Sequence, residues 1–143
     1  GTASALLAGR ALWVRDRMDE DRMHRALQEI LGERDFSAFR ATSCQSRTPM
    51  RCLMAASVER RGTLLRVRLI ANAFLHHMVR NIVGSLLPVG QSSAPAAWLA
   101  ELLEHRDRTR AAATAPPHGL YLTDVHYPPA HALPPVPDLP LFP

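Results

Sequence analysis

Two adjacent segments, residues 50–60 and 63–71, have the composition of β-strands and meet at Arg61-Gly62, a pair typical of a hairpin turn. In the second segment, apolar side chains alternate with a partly basic set, so one face of the hairpin is apolar and the other carries arginine. An isolated hairpin is only marginally stable in water, so other elements must cover the apolar face. The chain is therefore expected to contain helices that pack on an antiparallel sheet.

Helical patterns do flank the hairpin. The sequence predicts three helices: one capped by Asp19 and ended by Gly32, one from about Phe74 to Leu87 that Pro88 and Gly90 stop, and one that begins at Ser93 and Pro95. Shorter elements are also expected: a strand in the ALWV segment (11–14), a turn capped by Asp35, a short helix capped by Asp107 and a last strand over 119–127. The order is roughly helix, strand, strand, helix, helix, strand. This predicts an α+β fold, a mainly antiparallel sheet with helices packed on one face.

The length of 143 residues fits one domain. We divide it into an N-terminal extension or linker strand (1–18), a main domain (19–127) and a proline-rich tail (128–143). The composition is 47% hydrophobic and 21% charged, as in soluble globular proteins, and the apolar stretches are too short to span a membrane. No signal peptide is visible, so we expect a cytoplasmic protein without a membrane partner. Cys44 and Cys52 lack CxxC spacing and are expected to be reduced and structural.

Positive charge is concentrated in one part of the chain. All 17 basic residues are arginine, and between Phe36 and Asn81 eight arginines face a single acid, Glu59. Arginine matches phosphate oxygens and stacks on bases, so this block suggests a polyanionic partner. A scattered set of solvated surface charges is the alternative.

The segment ANAFLHHMVRNIVGSLL (71–87) places polar residues within an apolar sequence. On a helix, His76 and His77 point in different directions, and His76, His77, Arg80, Asn81 and Gly84 together form a narrow polar stripe. Metal binding is disfavoured, because the segment has neither an H-x3-H pair nor a carboxylate. The stripe is either the edge of a core helix or part of a site. Arg80 must find an anion elsewhere: on another segment, on another chain or on a phosphate.

Several segments, in the same order, resemble the C-terminal half of the tRNA pseudouridine synthase A (TruA) family. They are ANAFLHHMVRNIVGSLLPVG, DFSAFRATSCQSRTPMR (35–51), the hairpin, AAWLAELLEHRDRTRAAATAPPHGLYLTDVHYP (96–128) and PLF (140–142). The resemblance implies the C-terminal half of the pseudouridine synthase fold. It also implies an isomerase that converts uridine to pseudouridine in the anticodon stem-loop of tRNA without a cofactor or metal. In that reaction a catalytic aspartate attacks the nucleotide, the glycosidic bond breaks, the uracil turns and a carbon–carbon bond forms.

The resemblance assigns roles to individual residues. Arg80 matches the arginine that orients the catalytic aspartate, and Leu120 matches an apolar residue at the active-site floor. A basic loop beside the RNA cleft is matched by Arg40, Gln45, Ser46, Arg47 and Thr48. For His76, His77 and Asn81 two readings stay open: they line the edge of the RNA cleft, or they serve packing and capping.

The chain departs from the family pattern at its most important motif. The family's aspartate lies in an N-terminal G-R-T-D-x-G-V-H motif that is absent here, and Asp107-Arg108-Thr109 has similar letters in another order. The tyrosine of the family's second motif is also absent. We therefore expect the C-terminal half of an enzyme roughly twice as long, inactive alone, with tRNA, the N-terminal half and a second copy in a homodimer as partners. The alternatives are an inactive RNA-binding module, or an interaction domain, which the arginine block disfavours.

Overall fold

The computed structural model describes residues 5–127, and the proline-rich tail predicted for 128–143 lies outside the described residues. An antiparallel sheet has the strand order β1-β2-β3, with β1 at Gly32–Asp35, β2 at Met50–Arg61 and β3 at Leu64–Ala71. The helices are α1 (Glu20–Gln28), α2 (Met78–Gly90) and α3 (Trp98–His105). Short 3₁₀ turns cover Ala5–Leu7, Ser37–Phe39 and Arg108–Arg110. The predicted α+β class is confirmed.

The hairpin forms where the sequence predicts it. Strands β2 and β3 pair antiparallel from Arg61 opposite Leu64 to Leu53 opposite Ala71, with a bulge near Leu53. Gly62 has φ +59°, a left-handed conformation that glycine adopts without strain, at the turn between the strands.

Helix α1 covers the middle strand. Its predicted cap is confirmed, because the Oδ1 of Asp19 accepts a 2.9 Å hydrogen bond from the amide of Arg22. The helix buries Met23, Ala26 and Leu27 and packs against β2. Helices α2 and α3 in turn pack on α1 and on each other.

Helix α2 is displaced along the sequence from the predicted segment. It begins at Met78 rather than near Phe74, because His77 has a left-handed backbone with φ +60°. It also runs through Pro88 and Gly90, which were expected to stop it. Pro88 lies in the last turn, where its missing amide removes one i→i−4 hydrogen bond without ending the helix, and Gly90 allows the close approach of a methionine from α1.

The sequence missed one strand, and two of its strand assignments were wrong. Gly32 was expected only to end a helix, but it begins β1, which pairs with β2 from Gly32 opposite Leu53. Residues 11–14 and 119–127 are not strands, and Leu122 in the latter segment is 79% exposed. Alternating apolar residues form a strand only beside a partner edge, and within residues 5–127 neither segment pairs with the sheet.

None of the helices within residues 5–127 is both long and apolar enough to cross a membrane.

Candidate functional site

A loop and a turn from distant parts of the chain form one continuous surface before α2. The loop, residues 40–48, is called the arginine loop, and the turn, residues 74–77, is called the histidine turn. The amide of Ala41 donates to the His76 carbonyl at 3.1 Å, and the amide of His76 lies 3.4 Å from the Sγ of Cys44. The Oγ of Ser43 is 3.3 Å from the Nδ1 of His76. The sequence-predicted loop residues and the histidines are therefore neighbours.

Arg40 organises the arginine loop from within. Its Nη2 donates to the carbonyl oxygens of Cys44 at 2.8 Å and Ser46 at 2.6 Å, and the group is partly buried. This guanidinium nitrogen already donates to two loop carbonyls. The geometry of Arg40 therefore favours a role in holding the loop's conformation over direct RNA contact.

The other side chains of the loop are more open to solvent. Gln45, Arg47 and Thr48 are exposed, and Arg47 makes no hydrogen bond or ion pair to any described residue. The Oγ of Ser46 accepts from the Nη2 of Arg51 at 2.7 Å and donates to the Thr48 carbonyl at 3.1 Å. Arg47 is thus the loop cation best placed to meet an anion.

The two histidines stack on one another. Their ring centroids are 3.9 Å apart with planes tilted by 31°. The prediction that they point in different directions was wrong, because both precede the helix. Burial first, and then the nearby charges of His76 and Arg80, lower the pKa of His77 below its ordinary value of 6.5.

Cys44 lies between the loop and the turn. Hydrogen bonds from the backbone amides of Ser46 and His76, supported by the Arg40 guanidinium, lower the pKa of its thiol. Both cysteines are free and half-buried.

Arg80 is half-buried in the first turn of α2. Its Nε donates to the carbonyl oxygen of Ala115 at 2.7 Å, and it forms no ion pair within residues 5–127. The remaining guanidinium nitrogens are therefore able to receive an anion.

Asn81 is fully buried one residue further along α2. Its Nδ2 donates to the Phe39 carbonyl at 2.8 Å, and its Oδ1 accepts from Thr114 at 2.7 Å and from Arg108 at 3.1 Å. Of the two readings of Asn81, this geometry favours packing over a place at the cleft edge.

Leu120 is 47% exposed and lies in a turn in which its amide donates to the Pro117 carbonyl at 3.1 Å. Gly119, with φ +79°, brings this turn against the backbone of Ala11. The role of Leu120 at an active-site floor stays a prediction.

Ion pairing leaves most of the arginine block uncompensated. Glu20 of α1 pairs with Arg60 at 2.7 Å, and Glu59 pairs with Arg66 and, at 3.9 Å, with Arg61. Five arginines of the block have no carboxylate partner in the described part of the chain: Arg40, Arg47, Arg51, Arg68 and Arg80. Within the same residues, no three His, Cys, Asp or Glu side chains converge as metal ligands would.

No site role was predicted from the sequence for the residues that surround Arg80 and Asn81. Arg108, Thr114 and Ala115 all contact this part of α2. The run of small residues at 111–115 is a signal that could have indicated a close backbone approach, but it was read as part of a short helix.

Comparisons with known proteins agree with the resemblance. A family model described as tRNA pseudouridine synthase matches residues 26–128. The chain is 58% identical over 125 residues to the tRNA pseudouridine synthase A of Shewanella loihica, 57% to that of Shewanella amazonensis and 55% to that of Shewanella baltica. Each match covers 87% of this chain and 48% of the relative. The chain thus spans about half the length of the curated relatives it matches.

Proposed function

We propose, because the chain belongs to the tRNA pseudouridine synthase family, that it forms one wall of an active-site cleft in which uridine of a tRNA anticodon stem-loop is converted to pseudouridine. The nucleophilic aspartate comes from a segment outside this chain. Arg80 pairs with that carboxylate and orients it for attack.

The state of Arg80 is the observation that supports this proposal most directly. Arg80 is half-buried and has no carboxylate partner among residues 5–127, where only its Nε forms a side-chain hydrogen bond, whereas terminal nitrogens of Arg40 and Arg108 are bound to neutral oxygens. A side chain needed only for packing would not require a charge at this position. A carboxylate supplied by another segment meets the requirement.

The arginine loop and the histidine turn form the adjoining RNA surface in this proposal. Arg47 contacts phosphate, and Gln45 and Thr48 offer polar groups to phosphate or 2′-hydroxyl oxygens. Arg40 and Ser46 hold the loop in shape, and the stacked His76 and His77 lie at its edge.

The proposed partners are tRNA, an N-terminal half of the same enzyme, and a second copy in a homodimer. No cofactor or metal is proposed. A cytoplasmic location also belongs to the proposal.

The test joins this chain to the part of the Shewanella loihica relative that it does not match, with the intact relative as positive control. We expect the joined protein to form pseudouridine in unmodified tRNA, and the 143-residue chain alone to form none. Arg80→Ala in the joined protein should lower kcat far more than tRNA affinity. Arg68→Ala is the matched control, since Arg68 is an exposed arginine also without an ion pair.

Tight tRNA binding without product in a folded joined protein would favour the inactive RNA-binding module instead. If Arg80→Ala weakens only affinity, Arg80 is a phosphate ligand and the catalytic assignment is wrong. Turnover by the isolated chain would contradict the claim that the nucleophile lies outside it.

A further inference from the structure

Residues 111–115, called the strap here, run along α2 without regular secondary structure. At the end of the strap the amide of Ala115 donates to the Arg80 carbonyl at 3.1 Å, while the Nε of Arg80 donates to the Ala115 carbonyl at 2.7 Å. One residue of the strap is thus bound to both the backbone and the side chain of Arg80.

The surface of α2 is shaped to accept this backbone. Gly84 leaves the space that the Ala113 carbonyl occupies, so a Cβ at this position would clash with it. The buried Ser85 accepts a 3.2 Å hydrogen bond from the amide of Ala112. The strap therefore has one close-fitting position on the helix.

Arg108 forms hydrogen bonds both to the strap and to helix α2. Its Nη1 donates to the carbonyl oxygens of Ala111 at 3.4 Å and Ala112 at 3.0 Å. Its Nη2 donates to the Thr114 Oγ1 at 3.0 Å and to the Asn81 Oδ1 at 3.1 Å. All four acceptors are neutral, and no carboxylate pairs with Arg108 in the described part of the chain.

The geometry of these bonds requires the guanidinium group. Its planar fork reaches backbone acceptors with one terminal nitrogen and side-chain acceptors with the other, which a lysine ammonium cannot do from a single point. Asp107 stabilises the 3₁₀ turn that contains Arg108, because its Oδ1 accepts a 2.9 Å hydrogen bond from the amide of Thr109.

We propose that Arg108 is a positioning residue for Arg80. Arg108 fixes the strap, and the strap's last carbonyl holds the Nε of Arg80, so that the rest of the guanidinium faces one direction before an anion arrives. Preorganisation of this kind matters because small displacements of an orienting group lower reaction rates strongly. The catalytic relevance of this role rests on the proposed function, whereas the positioning itself does not.

The experiment measures solvent exchange of the Arg80 Nε–H by ¹⁵N NMR in the full 143-residue chain, with the signal assigned by its loss in Arg80→Lys. In Arg108→Lys we expect this exchange to become about tenfold faster, while the amides of the sheet keep their wild-type exchange rates. Arg110→Lys is the matched control, because Arg110 lies in the same turn and is exposed. It should leave the Arg80 signal unchanged.

Unchanged Arg80 exchange in a folded Arg108→Lys chain overturns the proposal. If that variant does not fold, Thr114→Val removes one of the acceptors of Arg108 at nearly constant volume and should also accelerate the exchange. Unchanged exchange there overturns the proposal equally. Because the measurement needs neither RNA nor turnover, a joined protein without synthase activity counts against the proposed function alone.

Discussion

The carbonyl oxygen of Ala113 lies where a Cβ atom on Gly84 would have to be. The strap that carries this carbonyl also carries the Ala115 oxygen that binds the Nε of Arg80. Gly84 has no side chain, and the space this leaves lets the strap lie where it contacts the candidate catalytic arginine.

Replacing Gly84 by alanine should destabilise the chain. Overpacking against the backbone destabilises the folded state by up to about 3 kcal/mol. Alanine has a higher helix propensity than glycine, which offsets about 1 kcal/mol of this. We therefore expect the free energy of unfolding to fall by about 2 kcal/mol. Urea denaturation measures the change. Gly90→Ala is the matched control, because its nearest neighbours are flexible ends of Met18 and Met23 that can move aside. An equal loss in both variants would show that the strap is not the obstacle.

The ion pair between Glu20 and Arg60 should make stability depend on acidic pH. Chiefly the hydrogen bond from Arg60 lowers the pKa of Glu20 from 4.5 to about 2. The ion pair contributes fully to the free energy of unfolding above pH 4.5. This contribution is lost as the pH falls towards 2, where the carboxylate becomes protonated in the folded state.

Urea denaturation across this pH range checks the effect. Glu20→Gln should be less stable than the wild type at neutral pH, and the difference should shrink through the window. Glu104→Gln is the control, because Glu104 is exposed and forms no ion pair within residues 5–127, and it should change the stability little at neutral pH. A Glu20→Gln deficit that persists unchanged at low pH would contradict the assignment.

His77 should titrate below the ordinary histidine pKa of 6.5 in an NMR titration. His76→Phe keeps a ring in the stack and removes a neighbouring positive charge, so the pKa of His77 should rise in this variant. Burial is the larger cause and remains, so the pKa should still lie below 6.5. A further decrease would mean that His76 acts on His77 through something other than its charge.

The two arginines of the arginine loop should respond differently to substitution. Arg47→Ala in the joined protein should weaken tRNA binding, and the slope of log affinity against log salt should fall by about one unit, as for the loss of one phosphate contact. Arg40→Ala should instead loosen the loop, because the carbonyls of Cys44 and Ser46 lose their donor. Loop amide exchange measured by NMR distinguishes the two effects.

Arg25→Ala is the control for that binding experiment, because Arg25 is an exposed arginine on α1, away from the loop. It should leave the salt slope unchanged. An equal loss of slope in Arg25→Ala and Arg47→Ala would mean that the loop is no special RNA surface.

Local sequence determined the hairpin and the first helix. Gly62 supplies the left-handed residue at the turn, and the Asp19 side chain satisfies an amide at the helix start. Both are interactions between residues close in the chain, so a pattern in the sequence is sufficient to predict them. The same holds for the turn after Asp107, whose side chain accepts from Thr109.

Tertiary structure decided where α2 begins and what surrounds Arg80. Within the sequence, His76 and His77 continue a helical pattern, but contacts with the arginine loop hold His76, and His77 adopts a left-handed conformation before the helix begins. Strand β1 likewise depends on pairing with an edge of β2 rather than on its own composition. Arg80 was recognisable as a cation in need of an anion. The bond from its Nε to Ala115 and the bond from Arg108 to Asn81 join positions far apart in the chain, which only packing brings together.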